Sequence, residues 1–313
     1  MKIIAEVGSN WRTYDDCKSA IGLAKNCGAW AVKFQAFNAM ALYGTQGAMV
    51  NELPQEWLGP LSQKAKAFGI EFMCTAFSPE LAEMVNPFVN VHKIASSDLT
   101  HKRLLEKINS FKKPVLVSTG GHGLEPKDGR GDVAMALKHL SDCDVTLMYC
   151  VSSYPARFVN FERMEFLKQY GRPIGYSDHS TDIAVIPVEA KRRGAVYLEK
   201  HVNFTEHQDT PDAPHSLNCD EFKLMCKAAK GEPLQDSFGE NDMALMHNRR
   251  LIAIRNIQAG ERLQEGVNFG AYRSLKPDQE GLSPWLMDRV NGEACRVDVK
   301  MGEPITPKAA GLS

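Results

Sequence analysis

Over the first 230 residues, short apolar runs alternate with longer segments whose apolar residues recur three and four apart, and the alternation repeats eight times. The runs that predict strands are IIAEVG from Ile3, WAVKFQ from Trp30, GIEFMCT from Gly69, NVHKIAS from Asn90, PVLVST from Pro114, VTLMYCV from Val145, RPIGYSD from Arg172 and AVYLEKH from Ala195. A helix is expected after each. Thr13, Ser78 (with Pro79 behind it), Thr100, Asn160, Thr181 and Asn218 offer side-chain oxygens as N-caps, and Gly28, Gly171, Gly194 and Gly231 fall just past helix ends. Eight strand–helix units in this length predict a closed parallel (β/α)8, or TIM, barrel. A doubly wound open sheet would bring a glycine-rich phosphate loop after the first strand, and none is present.

The periodicity then breaks. Residues 231–247 are polar and irregular and read as a linker; residues 248–313 carry short β-like runs interrupted by Gly, Pro and Asn, a small β-rich domain. The barrel domain is therefore placed at 1–230. A formal net charge of -1, without a long basic block, argues against nucleic acid or an acidic membrane surface as partner. No run of about 18 apolar residues exists, and the start lacks a signal peptide's apolar centre, so a cytoplasmic location is expected. The eight cysteines are scattered and without CxxC pairs, which reads as reduced thiols.

Barrel enzymes gather their chemistry at the C-terminal ends of the strands. Polar residues collect there: Glu6; Lys33 and Gln35; Thr75; Lys93 and Ser96; Ser118 and Thr119; Ser152 and Tyr154; Ser177, Asp178 and His179; Glu199 and His201. An ammonium buried without an anion is costly, so Lys33 and Lys93 ask for an internal carboxylate or an anionic ligand. With Ser118 and Ser177 as neighbouring hydroxyl donors, a phosphate-bearing substrate is the better of the two readings. His179 and His201 end strands seven and eight, neighbours in a closed barrel. Two imidazoles there can hold a divalent metal with positions left open. The other seven histidines receive no role. Asp178 and Glu199 flank the pair as orienting acceptors, a further metal ligand or acid–base groups.

These motifs resemble the N-acetylneuraminate (sialic acid) synthase family, which includes legionaminate and pseudaminate synthases and spore-coat polysaccharide relatives. The landmarks are AEVGSN at Ala5, AVKFQ at Ala31, CTAF at Cys74, KIASSD at Lys93, VSTG at Val117, YCVSSYPA at Tyr149, GYSDHS at Gly175, LEKHV at Leu198, DAPHSL at Asp212 and RRLIAIRNIQAGE at Arg249. The resemblance implies a C-terminal antifreeze-like domain, a domain-swapped homodimer, and condensation of phosphoenolpyruvate with an N-acetylated amino sugar. It implies manganese, with magnesium or cobalt as alternatives, on His179 and His201. It places phosphoenolpyruvate on Lys33, Lys93, Ser96, Ser118, Ser152 and Ser177. Gln35, Thr75, Tyr154 and Asp212 surround the sugar, Glu6 and Glu199 act as catalytic carboxylates, and Arg273 reaches the sugar in the partner's site. Trp11, Ala36, Ser97, Asp98 and Ser152 depart from the usual pattern, which leaves the sugar's identity open. The rival readings are a metal-dependent aldolase or isomerase that does not use phosphoenolpyruvate, and a non-catalytic carbohydrate-binding protein.

Overall fold

The computed structural model describes residues 1–39, 42, 52–122, 131–232, 249–273 and 281–312. Two compact units, 1–234 and 235–313, divide the chain. The first contains eight parallel strands, β1 (Lys2–Gly8), β2 (Ala31–Ala36), β3 (Glu71–Ala76), β4 (His92–Ile94), β5 (Val115–Ser118), β6 (Val145–Cys150), β7 (Ile174–Asp178) and β8 (Tyr197–His201). Their order is β3-β2-β1-β8-β7-β6-β5-β4, and the end strands β3 and β4 lie against each other, so the sheet curls into a near-closed barrel. All eight expected strands form, each within two residues of its predicted run.

The helices are α1 (Tyr14–Asn26), α2 (Leu58–Phe68), α3 (Pro79–Val85), α4 (Lys102–Ser110), α5 (Asp132–His139), α6 (Phe161–Phe166), α7 (Val185–Arg192) and α8 (Cys219–Lys230). Thr13 and Asn218 open α1 and α8 with full capping boxes, completed by Asp16 and Glu221, and Ser78 and Asn160 cap α3 and α6. Two expected caps move. His101, not Thr100, caps α4 through Nδ1, and Asp182 rather than Thr181 accepts the amides of Ala184 and Ile186 at the start of α7. A carboxylate accepts amide hydrogens more strongly than a hydroxyl does, which explains the second displacement.

The barrel's interior is closed below the site by a small apolar layer of Ile4, Ala31, Met73, Val91, Leu116 and Met148. Gly175 makes room for it, since a Cβ there would sit 2.3 Å from the Met148 sulfur. The larger core, including Phe34, Phe72, Tyr176, Ile21, Leu61 and Phe222, fills the space between strands and helices. In that outer layer Lys200 and Asp178 form a fully buried pair: the ammonium donates to Asp178 Oδ2 at 2.6 Å, Ser180 Oγ at 3.2 Å and the Asp182 carbonyl at 3.0 Å. Strand alternation explains the placement, because Glu199 and His201 occupy the inner face of β8 and Lys200 the outer. Asp178, expected beside the histidines as a chemical group, is thus a structural one. Lys200→Met leaves its carboxylate uncompensated, and urea unfolding is expected to register a loss of about 3–5 kcal/mol.

In the second unit, β9 (Arg249–Ala253) and β10 (Phe269–Arg273) pair antiparallel, with isolated bridges at Ile252–Pro304, Ile257–Val299 and Arg262–Ala294. Leu251, Ile257, Leu263, Phe269, Val290 and Ile305 form its own core. Most of the expected linker, 233–247, lies outside the described residues. No described helix is long and apolar enough to cross a membrane.

Candidate active site at the strand ends

The strand registers bring the charged side chains together. Glu6 on β1 is the register partner of both Lys33 on β2 and His201 on β8, and Ser177 on β7 partners Glu199. Lys33 Nζ lies 2.7 Å from Glu6 Oε2 and 3.6 Å from Glu199 Oε2, and donates to Thr75 Oγ1 at 3.0 Å. Gln35 Nε2 donates to Glu6 Oε1 at 2.7 Å, and Ser177 Oγ donates to Glu199 Oε1 at 3.0 Å. The internal-carboxylate reading therefore holds for Lys33. Lys93 is less well served: it donates to Ser118 Oγ at 2.7 Å and the Ile94 carbonyl at 3.3 Å, with Glu199 no closer than 3.7 Å.

The electrostatics follow this asymmetry. Burial works against the Lys33 ammonium, but Glu199 and Glu6 outweigh it and raise its pKa; burial lowers that of Lys93, which Glu199 only partly offsets. Burial would raise Glu199, yet Lys33 and Lys93 pull it down to about 2. Glu6 is pushed up to about 7, by burial first, with Lys33 opposing and Glu199 adding. Below pH 7 the two lysines thus face one carboxylate, and the cluster is net cationic; above it the charges cancel. Binding of a polyanion should weaken as pH rises through about 7. In Glu6→Gln that part of the pH dependence should vanish from calorimetric titrations with phosphoenolpyruvate; superimposable profiles would remove Glu6 from the balance.

Beside this cluster the imidazoles gather. His179 Nδ1 donates to the Val151 carbonyl at 2.8 Å, which leaves Nε2 as an acceptor. Its ring stacks on Tyr154 at 4.2 Å between centroids and lies 5.7 Å from that of His201. His215, which the sequence reading passed over, joins them with its ring centroid 4.6 Å from His201. Among the described residues, His201 Nδ1 and His215 Nε2 are buried without hydrogen-bond partners, and they flank the Asp212 carboxylate at 3.9 and 3.6 Å. Burial lowers the pKa of all three histidines, that of His201 to about 3, so the imidazoles are neutral. Ligand atoms of His201, Asp212 and His215 all lie within 4.8 Å of one another. Orphaned neutral imidazole nitrogens around a carboxylate are a donor set that fits a divalent cation.

Local backbone fixes Asp212. Ser9 donates to its Oδ2 from both the amide, at 2.8 Å, and the hydroxyl, at 2.9 Å. That approach needs Gly8, whose φ is +56° and where a Cβ would fall 2.2 Å from the same oxygen. Glu6, Lys33, Gln35, Thr75, Lys93, Ser96, Ser118, Tyr154, Ser177, His179, Glu199 and His201 line one pocket. Above it, a cavity of about 610 Å³ includes Ser152 and Asp212. Arg273 belongs to the second unit, exposed at the end of β10. Cys150 was also missed; its thiol lies 3.0 Å from Ser96 Oγ.

A profile of the NeuB family matches residues 20–239. N,N'-diacetyllegionaminic acid synthase of Legionella pneumophila is 32% identical over 96% of this chain and 92% of its own. Among solved structures, the Bacillus subtilis spore coat polysaccharide biosynthesis protein SpsE superposes with a TM-score of 0.66 at 26% identity, covering 99% of this chain and 94% of that one. The N-acetylneuraminic acid (sialic acid) synthetase of Leptospira borgpetersenii, solved with citrate, gives 0.67 at 27% identity over 75% of this chain and 87% of that one.

Proposed function

The chain belongs to the NeuB family, and on that premise we propose that it condenses phosphoenolpyruvate with an N-acetylated amino sugar to a nine-carbon 2-keto acid, releasing phosphate. The observation that carries the reading is Lys93, a buried ammonium with a hydroxyl and a carbonyl close by and its nearest carboxylate 3.7 Å away. An anionic substrate completes its partners; Lys33, Ser96, Ser118 and Ser152 give the same substrate further donors, and Ser177 joins them once its one hydroxyl hydrogen turns from Glu199 to the substrate. Gln35, Thr75, Tyr154 and Asp212 surround the sugar.

His201, Asp212 and His215, with His179 beside them, would hold a divalent metal such as manganese, whose chemistry when bound is to polarise the aldehyde oxygen of the open-chain sugar. Lys33 and Lys93 orient phosphoenolpyruvate so that its carbon 3 faces the aldehyde carbon. Glu199, kept ionised by the two lysines, offsets the positive charge that develops at carbon 2 before water adds there. Glu6 enters protonated and gives its proton to the departing phosphate. The aldolase and isomerase readings are less favoured because the relatives matched are named as synthases of N,N'-diacetyllegionaminic acid and of sialic acid.

We place the reaction in the cytoplasm and assign the second unit as an antifreeze-like domain that delivers Arg273 to the partner's site in a domain-swapped homodimer. A purified heterodimer of His201→Ala and Arg273→Ala chains should then regain roughly half of wild-type activity, since one of its two sites is intact. A heterodimer as inactive as its parents rejects the delivery in trans. The acceptor is found by offering 2-acetamido and 2,4-diacetamido hexoses with phosphoenolpyruvate and manganese and measuring phosphate. Turnover should concentrate on one sugar; none with any of them overturns the proposal.

A further inference from the structure

Two thiols distant in sequence meet on the barrel's helical layer. Cys27 caps the C-terminal end of α1, and Cys219 is the first residue of α8. Their sulfurs lie 3.2 Å apart, and Cys27 Sγ also approaches the Cys219 carbonyl at 3.4 Å. Cys27 is buried, at 5% exposure, while Cys219 is only partly covered, which makes Cys219 the more accessible member of the pair. A disulfide needs the sulfurs at about 2.05 Å, a closure of roughly 1.2 Å that side-chain rotation can supply. Nothing in the proposed chemistry uses either thiol.

We propose that Cys27 and Cys219 are a modification site that forms a reversible disulfide with a low-molecular-weight disulfide as oxidant. The Cys219 thiol loses its proton and attacks one sulfur of that disulfide, giving a mixed disulfide and one free small thiol. Cys27 loses its proton and attacks the Cys219 sulfur, forming the internal bond and releasing the second small thiol. Two protein thiols are oxidised and one small disulfide is reduced to two thiols; the protons lost by the cysteines end on those products. The bond joins residues 192 apart in sequence.

Its position gives it a consequence for the site. The loop bearing Asp212 and His215 ends at Asn218, directly before Cys219, and is held at its other side by Asn10, which donates to Ser216 Oγ at 2.8 Å and accepts from Thr210 at 2.5 Å. Asn10 precedes α1 and Cys27 ends it, so the disulfide fastens the loop's exit to the far end of the helix whose start already holds its middle.

The test is to incubate the full-length protein with glutathione disulfide, count thiols after denaturation, and map the peptides. Free thiols should fall from 8 to 6 (8 − 2), with Cys27 joined to Cys219 and all 8 recovered by a dithiol reductant. The oxidised protein should melt roughly 5 °C higher or more. Cys219→Ser should show neither the lost thiols nor the shift, and Cys27→Ser should stop at a glutathione adduct on Cys219. Eight remaining thiols, a stable glutathione adduct in the wild type, or a bond from Cys27 to Cys226, whose Cβ also lies near this helix end, would each overturn the proposal.

Discussion

Replacing Lys93 with methionine should weaken phosphoenolpyruvate binding by roughly 100-fold or more while leaving the fold intact. Methionine keeps most of the apolar stem and removes the charge, so lost packing contributes little. The magnitude follows from what Lys93 touches. Its ammonium is buried, satisfied by one hydroxyl and one carbonyl, and only distantly balanced by Glu199. Removing one member of a buried, hydrogen-bonded charge pair costs about 2–5 kcal/mol in binding, or roughly 30- to 4,000-fold. The loss should be confined to phosphoenolpyruvate. Calorimetry in which Lys93→Met binds it as well as the wild type does, with unchanged circular dichroism, would detach the lysine from the substrate.

The second large effect is expected at the imidazoles. His201→Ala removes the residue that lies between His179 on one side and Asp212 and His215 on the other, and should lower manganese affinity by about 100-fold or more. The free-ion signal in electron paramagnetic resonance reads this without any turnover. His215→Ala removes a second group proposed to hold the ion and should cost at least about 10-fold, the lower end of what the loss of even an outer supporting group costs. His179→Ala separates two arrangements: a large loss places its free Nε2 on the ion with His201, and a small one leaves the ion to His201, Asp212 and His215. If none of the three changes manganese affinity, the metal site lies elsewhere.

The barrel was legible because each strand is an apolar run long enough to fill one layer, and because capping residues mark the helix starts. Period alone placed every strand. Two helix starts were misplaced: α4 is capped by His101, one residue past Thr100, and the cap position of α7 is Ala184, three residues past Thr181, where the Asp182 carboxylate takes the amides of Ala184 and Ile186. In the site, strand-end polarity located Glu6, Lys33, Lys93, Ser118, Ser177, Glu199 and His201, all of which line one pocket. His215 stayed hidden since it sits on no strand. The loop after β8 carries it back over the barrel mouth through Ser9, Asn10 and Asp212, contacts about 200 residues apart in sequence. The DAPHSL stretch was the available signal, and only its aspartate was used. Asp178 was misread for the opposite reason: it ends a strand beside a presumed ligand, but the pleat turns it outward to Lys200.

The central claim is that phosphoenolpyruvate, with its carbon 2–oxygen bond broken, is the carbon donor. Phosphoenolpyruvate labelled with oxygen-18 in the bridging position decides this in the presence of manganese and the accepted amino sugar. The account predicts sugar-dependent phosphate release, all of the label in inorganic phosphate, and an equal amount of unlabelled nine-carbon 2-keto acid. Label retained in the keto acid, or the same product formed from pyruvate with no phosphate released, would contradict it.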